Sequence, residues 1–187
     1  PPRENRFVNP PPFASEVSAA REILRAAAAD GASVAPCGRR TRMARHRPKA
    51  KPTHWLDCTV FRGLLWLDAE DQCCEVGAGT APAALAAELA PHRLMLAVDA
   101  PCAESGTVGG LFLAPDLSLL HGAYGPPRDQ VLGGSWLLAD GAHIRSGARV
   151  VKSVAGYDLT RLLLGSRGLL GACVSLVLRL QPIPRAL

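Results

Sequence analysis

Aromatic side chains are scarce in this 187-residue chain, where 4 Phe, 3 Trp and 2 Tyr make up 5% of the residues. Ala, Leu and Val must therefore do most of the packing. No run of about 18 apolar residues occurs, so no hydrophobic membrane-spanning helix is expected. The glycine signatures of dinucleotide and P-loop sites, GxGxxG and GxxxxGKS/T, are both missing. No CxxC occurs either, and the six cysteines (37, 58, 73, 74, 102, 173) have spacings that form no disulfide framework. They read as reduced thiols serving as small apolar residues, and no metal site is expected. Pro1 to Asn5 is polar and lacks the apolar core of a secretory signal.

What is present describes an ordinary globular domain, with 48% hydrophobic and 20% charged residues. The length suits one domain, or two small lobes sharing a core. The net charge is +5, but seven of the 21 Lys and Arg lie between Arg39 and Lys51, a run without an acidic residue. The excess is one local loop, not a cationic face of the kind a nucleic-acid binder spreads over its surface.

Residues 1–14 form a lead-in. Ser15 is expected to cap a helix to about Ala29, with Val17, Ala20, Ile23, Leu24 and Ala27 on one face and Gly31 as its stop. Strands are expected at Ala32–Pro36, Trp55–Thr59, Gly63–Leu67, Cys73–Gly77 and Leu94–Val98. A helix capped by Thr80 carries Leu85 and Leu89. Pro101 to Gly125 has no clear period. Further on, Ser135–Ala139 and Ala142–Ser146 flank Asp140-Gly141, a favoured hairpin turn. Asp158 caps a short helix closed by Gly165. Ala172–Leu180 alternates, with Val174, Leu176, Leu178 and Leu180 facing one way and Ser175 and Arg179 the other. The expected fold is α+β: a small βαβ-like lobe over 15–100, then a larger, mostly antiparallel sheet with flanking helices over 101–187.

Three glycine-bearing segments carry the chemistry. Pro36-Cys37-Gly38-Arg39-Arg40-Thr41 follows a strand, where a sharp turn can aim N–H groups at phosphate oxygens and arginines can add bidentate pairing. Gly106-Thr107-Val108-Gly109-Gly110 permits close approach of backbone to a flat or charged ligand, with Tyr124-Gly125 to Gly133 further on. Lys152 to Leu159 and Gly165 to Gly171 bracket a short helix and feed an apolar strand. Each segment alone also reads as a tight connection with no ligand.

Taken together and in this order, the segments resemble the FAD-binding domain of the p-cresol methylhydroxylase and vanillyl-alcohol oxidase superfamily, above all the FAD-binding subunits of bacterial glycolate oxidases. The likeness runs from about Ser15 to Pro184. It implies a two-lobed FAD-binding domain whose cofactor contacts fall at Gly38, Arg39, Arg40, Thr41, Pro101, Thr107, Val108, Gly109, Gly110, Tyr124, Gly125, Asp129, Lys152, Gly156, Tyr157, Ser166, Gly168 and Gly171. The resemblance also implies oxidation of a 2-hydroxy acid such as glycolate. Partners would be other subunits, including an iron–sulfur subunit that takes the electrons, and the location cytoplasmic or peripheral to the inner membrane face. The family's substrate cap domain would begin just past Pro184, so no cap and no catalytic base are expected within these residues. His46, His54 and His121 are not counterparts of a flavin-linking histidine.

The chain departs from the family pattern in three places. Arg39 and Arg40 stand where further glycines are usual, and either pair with the pyrophosphate or close its cradle. Leu111 to Leu117 replaces a stretch of small residues, and Leu169 stands where Thr is common. These departures support an alternative, a module that kept the fold and lost the flavin. A third reading is contact with an acidic partner or nucleic acid through Arg39 to Lys51.

Overall fold

The structure, a computed structural model, describes residues 13–42, 52–99, 105–116, 118–147 and 158–184. Pro101, Lys152, Gly156 and Tyr157, with Cys102, His46 and the basic run beyond Arg42, lie outside the described residues.

Helix α1 (Ala14–Ala29) buries Val17, Ala20, Leu24 and Ala27, a stripe at helical spacing. Ile23 sits on its flank and is exposed. The helix starts one residue before Ser15, at a left-handed Phe13 with no side-chain cap bond. Ser15 instead donates to Glu16. The entry is pinned by packing, because the Phe13 ring meets Phe61 edge-on at 5.7 Å. At the other end Gly31 takes φ 63, and the Ala32 N–H closes on the Ala27 carbonyl.

Strands β1 (Val34–Cys37) and β2 (His54–Asp57) pair in parallel as a separate two-stranded sheet. The main sheet is antiparallel and has five strands. Its members are β3 (Leu64–Asp68), β4 (Cys73–Gly77), β6 (Val131–Leu137), β7 (His143–Gly147) and β8 (Ala172–Arg179), in the order β3-β4-β8-β6-β7. Its strands come from both sides of residue 100, so the two expected lobes share one sheet. The strand expected at Leu94–Val98 shrinks to β5 (Leu94–Met95), which pairs with β9 (Gln181–Pro182).

Two cores lie against this framework. One packs Cys74, Val76, Trp136, Leu176 and Leu178 under α2 (Pro82–Leu89) and α3 (Val108–Leu113). The other packs Phe61, Leu137, Ala172 and Val174 under α1. Val174 therefore does not share a face with Leu176, contrary to simple alternation. Ser135 and Trp136 face Ser175 and Cys173, so Val174 is the extra residue of a bulge that re-phases β8. Ser175 is also buried, because β8 is the central strand and is covered on both faces.

Thr80 does not cap α2; Ala81 occupies that position, and the Thr80 hydroxyl accepts from the Gly63 N–H. Pro82, lacking an N–H, fits the first turn. Asp158 does cap α5 (Leu159–Leu163), accepting from the Arg161 N–H at 3.0 Å. Among the described residues Cys37, Cys58, Cys74 and Cys173 are free thiols, and all four are buried, as is Cys73. Burial pushes the Cys58 and Cys74 thiols up to about 12. No helix among the described residues is long and apolar enough to cross a membrane.

Candidate functional site

The chain turns sharply after β1, and Gly38 is there because nothing larger fits. A Cβ at this position would lie 2.6 Å from Thr107 Oγ1. The first and second glycine segments, far apart in the sequence, are thereby brought into contact. Arg40 then takes φ 58, a left-handed conformation, and its guanidinium lies 4.6 Å from the centre of the Trp55 ring. Arg39 is exposed and Thr41 half-buried. Arg42 turns inward: only 8% of its side chain is exposed, and its Nε donates to Asp116 Oδ2 at 2.8 Å. Its Nη2 is buried with no partner among the described residues.

Thr107 caps α3, its hydroxyl accepting from the Gly110 N–H. The first helical N–H groups are already used. Val108 donates to the Thr80 carbonyl and Gly109 to that of Ala78. A Cβ on Gly109 would stand 2.9 Å from Ala78 Cβ, so that glycine lets α3 seat on the end of β4. Gly110 faces the other way, where a Cβ would stand 3.2 Å from both Arg42 Nη1 and Thr107 Oγ1. The helix start is thus a docked joint, and the open donor beside it is Arg42.

The third segment closes onto the far end of α3. Gly165 and Arg167 donate their N–H groups to the Phe112 and Leu113 carbonyls, which satisfies the helix terminus. Gly168, at φ 81, packs over Pro36 of β1, and a Cβ there would lie 3.4 Å from its ring. Ser166 Oγ is buried with no partner among the described residues. Gly38, Thr107 to Gly110, Ser166 and Gly168 are therefore gathered around α3 and the exit of β1.

The remaining expected residues lie beyond this cluster. Tyr124 ends α4 (His121–Tyr124), with Gly125 at φ 80 as its exit. The Tyr124 carbonyl accepts from Gln130 Nε2 at 2.6 Å. Asp129 is at the surface, 3.7 Å from Arg161 and 3.8 Å from Arg128. Gly171 packs on the Leu137 carbonyl and serves the entry to β8. His54 and His121 are exposed. Among the described residues no group of three or more His, Cys, Asp or Glu could hold a metal ion.

The profile of the FAD binding domain family matches residues 13–147. This chain belongs to that family. The FAD-binding domain is 34% identical over 132 residues to glycolate oxidase subunit GlcE of Escherichia coli, covering 70% of this chain and 38% of the relative. It is 31% identical over 152 residues to a mitochondrial D-lactate dehydrogenase (cytochrome) of Arabidopsis thaliana, covering 81% and 26%. A solved alkyldihydroxyacetonephosphate synthase superposes with a TM-score of 0.75 at 19% identity, over 90% of this chain and 33% of that one. The domain thus spans between about a quarter and two-fifths of the length of these relatives.

The gathered residues fit FAD. Its diphosphate is anionic, and the cluster offers a buried guanidinium nitrogen on Arg42 and a buried hydroxyl on Ser166, both without partners among the described residues. Gly38 makes room for the Thr107 side chain, and Gly110 makes room for the Arg42 guanidinium, so the first two segments meet at that arginine. Of the features that favoured a flavin-free module, Arg39 is exposed and Leu117 lies outside the described residues. Arg40 lies against Trp55, and Leu111, Phe112 and Leu113 are buried in the core under the sheet. The sequence does not mark Arg42 and Asp116, because an inward arginine looks the same as the exposed Arg39 and Arg40 beside it in a basic run.

Proposed function

We propose that this domain holds the FAD of an oxidoreductase that oxidises a 2-hydroxy acid such as glycolate. It would work with other subunits, among them an iron–sulfur subunit that accepts electrons. The observation that carries the proposal is the convergence of three glycine-bearing segments on α3, leaving Arg42 Nη2 and Ser166 Oγ buried without partners among the described residues. Relatives named for glycolate and for D-lactate support the substrate class, since both acids carry a hydroxyl next to a carboxylate. GlcE and GlcD are named as subunits, which supports a complex.

When bound, FAD supplies the acceptor for the hydride taken from the substrate carbon. The domain's own residues bind and orient it. Arg42 and Ser166 offer donors to the anionic half, and the glycines admit it close to the backbone. No catalytic base is assigned to these residues. The visible spectrum of the purified chain, before and after incubation with FAD and desalting, is the direct test. Retained flavin bands are expected, whereas a folded colourless protein would refute the cofactor role. For the substrate, anaerobic glycolate or D-lactate should bleach the flavin of the full-length enzyme; bleaching by neither would remove the 2-hydroxy-acid assignment.

A further inference from the structure

We infer that Arg42, and neither Arg39 nor Arg40, is the side chain that pairs with a phosphate of the FAD diphosphate, with Asp116 as its positioning residue. The inference rests on the FAD-binding reading above and adds the identity of the anion-pairing group. Three arginines within four positions compete for this role, and their surroundings separate them. Arg39 is exposed, and an exposed arginine pairs weakly through water. Arg40 has its guanidinium over Trp55. Of the three, Arg42 alone is withdrawn from solvent with a charged donor that has no partner among the described residues.

A guanidinium has five donors in a planar fork and needs acceptors for those that are buried. Asp116 takes only one, through Nε. The carboxylate holds the fork through Nε and leaves Nη2 without a partner among the described residues, a charged donor of the kind that pairs with a phosphate oxygen. Asp116, 14% exposed, also fixes the side chain before any ligand arrives, so less freedom is lost on binding. The fork lies beside Gly110 and Thr107, and Thr107 in turn fills the space that Gly38 leaves at the β1 exit, so Arg42 stands where the first two glycine segments meet. Asp116 belongs to the stretch after α3 that departs from the family's small residues, so the pair is a property of this chain.

The test titrates FAD, ADP and riboflavin into the full chain and into its Arg42→Met, Arg42→Lys, Arg40→Met and Asp116→Asn variants. Arg42→Met should weaken FAD and ADP roughly ten- to a hundred-fold, the worth of a charge-assisted bond, and leave riboflavin unchanged. Arg42→Lys should recover part of the loss, and Arg40→Met should stay within about twofold. Asp116→Asn should weaken FAD less than Arg42→Met does, with recovery in Asp116→Glu. Unchanged FAD affinity in a folded Arg42→Met, or an equal loss of riboflavin, overturns the inference while the FAD reading stands. Should Arg42→Met fail to fold, Arg42→Lys decides: FAD affinity equal to wild type at low and high salt also overturns it. A wild-type chain that binds neither FAD nor ADP removes the FAD reading, and this inference with it.

Discussion

Arg40 holds a left-handed backbone, at φ 58, while its side chain rests on Trp55. A non-glycine residue there costs about 1–2 kcal/mol. The ring contact returns about 0.5–1 kcal/mol at an exposed site, and glycine would add an unfolded-state entropy cost of about 0.5–1 kcal/mol. These terms nearly cancel, so Arg40→Gly should change the unfolding free energy measured in urea by less than about 1 kcal/mol. Glu75 is a stricter case. It is 3% exposed inside an otherwise apolar strand, and it accepts from Arg145 and Ser175 at 2.7 Å and from Trp66 at 2.9 Å. Replacing it with Ala strands three donors, and because Arg145 can regain water the expected loss is about 2–3 kcal/mol, below that of a fully enclosed pair. Equilibrium denaturation would measure it; a change under 1 kcal/mol would show that the network does not hold the sheet. His143, bonded to Ser135 at 2.6 Å, is kept below its ordinary 6.5 by burial, then by Arg145 and Arg21. The unfolded chain therefore takes the proton more readily. Stability contributed above about pH 6.5 is lost as pH falls through the lowered folded value, and His143→Gln should flatten this acid-side loss in midpoints measured from pH 8 to pH 5.

At the scale of elements, α3 is the joint on which the site turns. Gly109→Ala would drive a methyl into Ala78, and overpacking of this kind costs about 1–3 kcal/mol. Since α3 also carries Thr107 against Gly38, the same variant should lose FAD retention after desalting; full retention would show that the docking is slack. Most elements were legible in the sequence. The Asp158 cap emerged as expected, because it depends on chemistry within four residues. The hairpin at Asp140-Gly141 emerged too, but its turn takes three residues, 139–141, where two were expected, which shifts the register by one. The start of α1 and the cap of α2 did not, since Phe61 decides one and Gly63 recruits Thr80 from the other. The phase of β8 was hidden for a similar reason: its bulge exists only in register with β6. The site was half legible. Glycines that admit a close neighbour leave a pattern in the sequence, whereas the inward turn of Arg42 depends on Asp116 far along the chain.

For the whole molecule, ligand linkage provides a reading independent of colour. Free FAD at a hundred times its dissociation constant should raise the unfolding free energy by about 2.7 kcal/mol, seen as a higher melting temperature. No shift at saturating FAD would contradict binding to the folded state. The central place of β8 has a consequence for how the chain comes to be folded. The hairpins β3-β4 and β6-β7 form from near neighbours, yet they join only through β8, which bonds Glu75 and Ser175 a hundred residues apart. Closing so long a loop is slow. On the ribosome both hairpins must wait with an open edge until the codons for residues 172–179 have been read. Nascent chains stalled before that point should be protease-sensitive and prone to clump, and those stalled with β8 clear of the exit tunnel should not be.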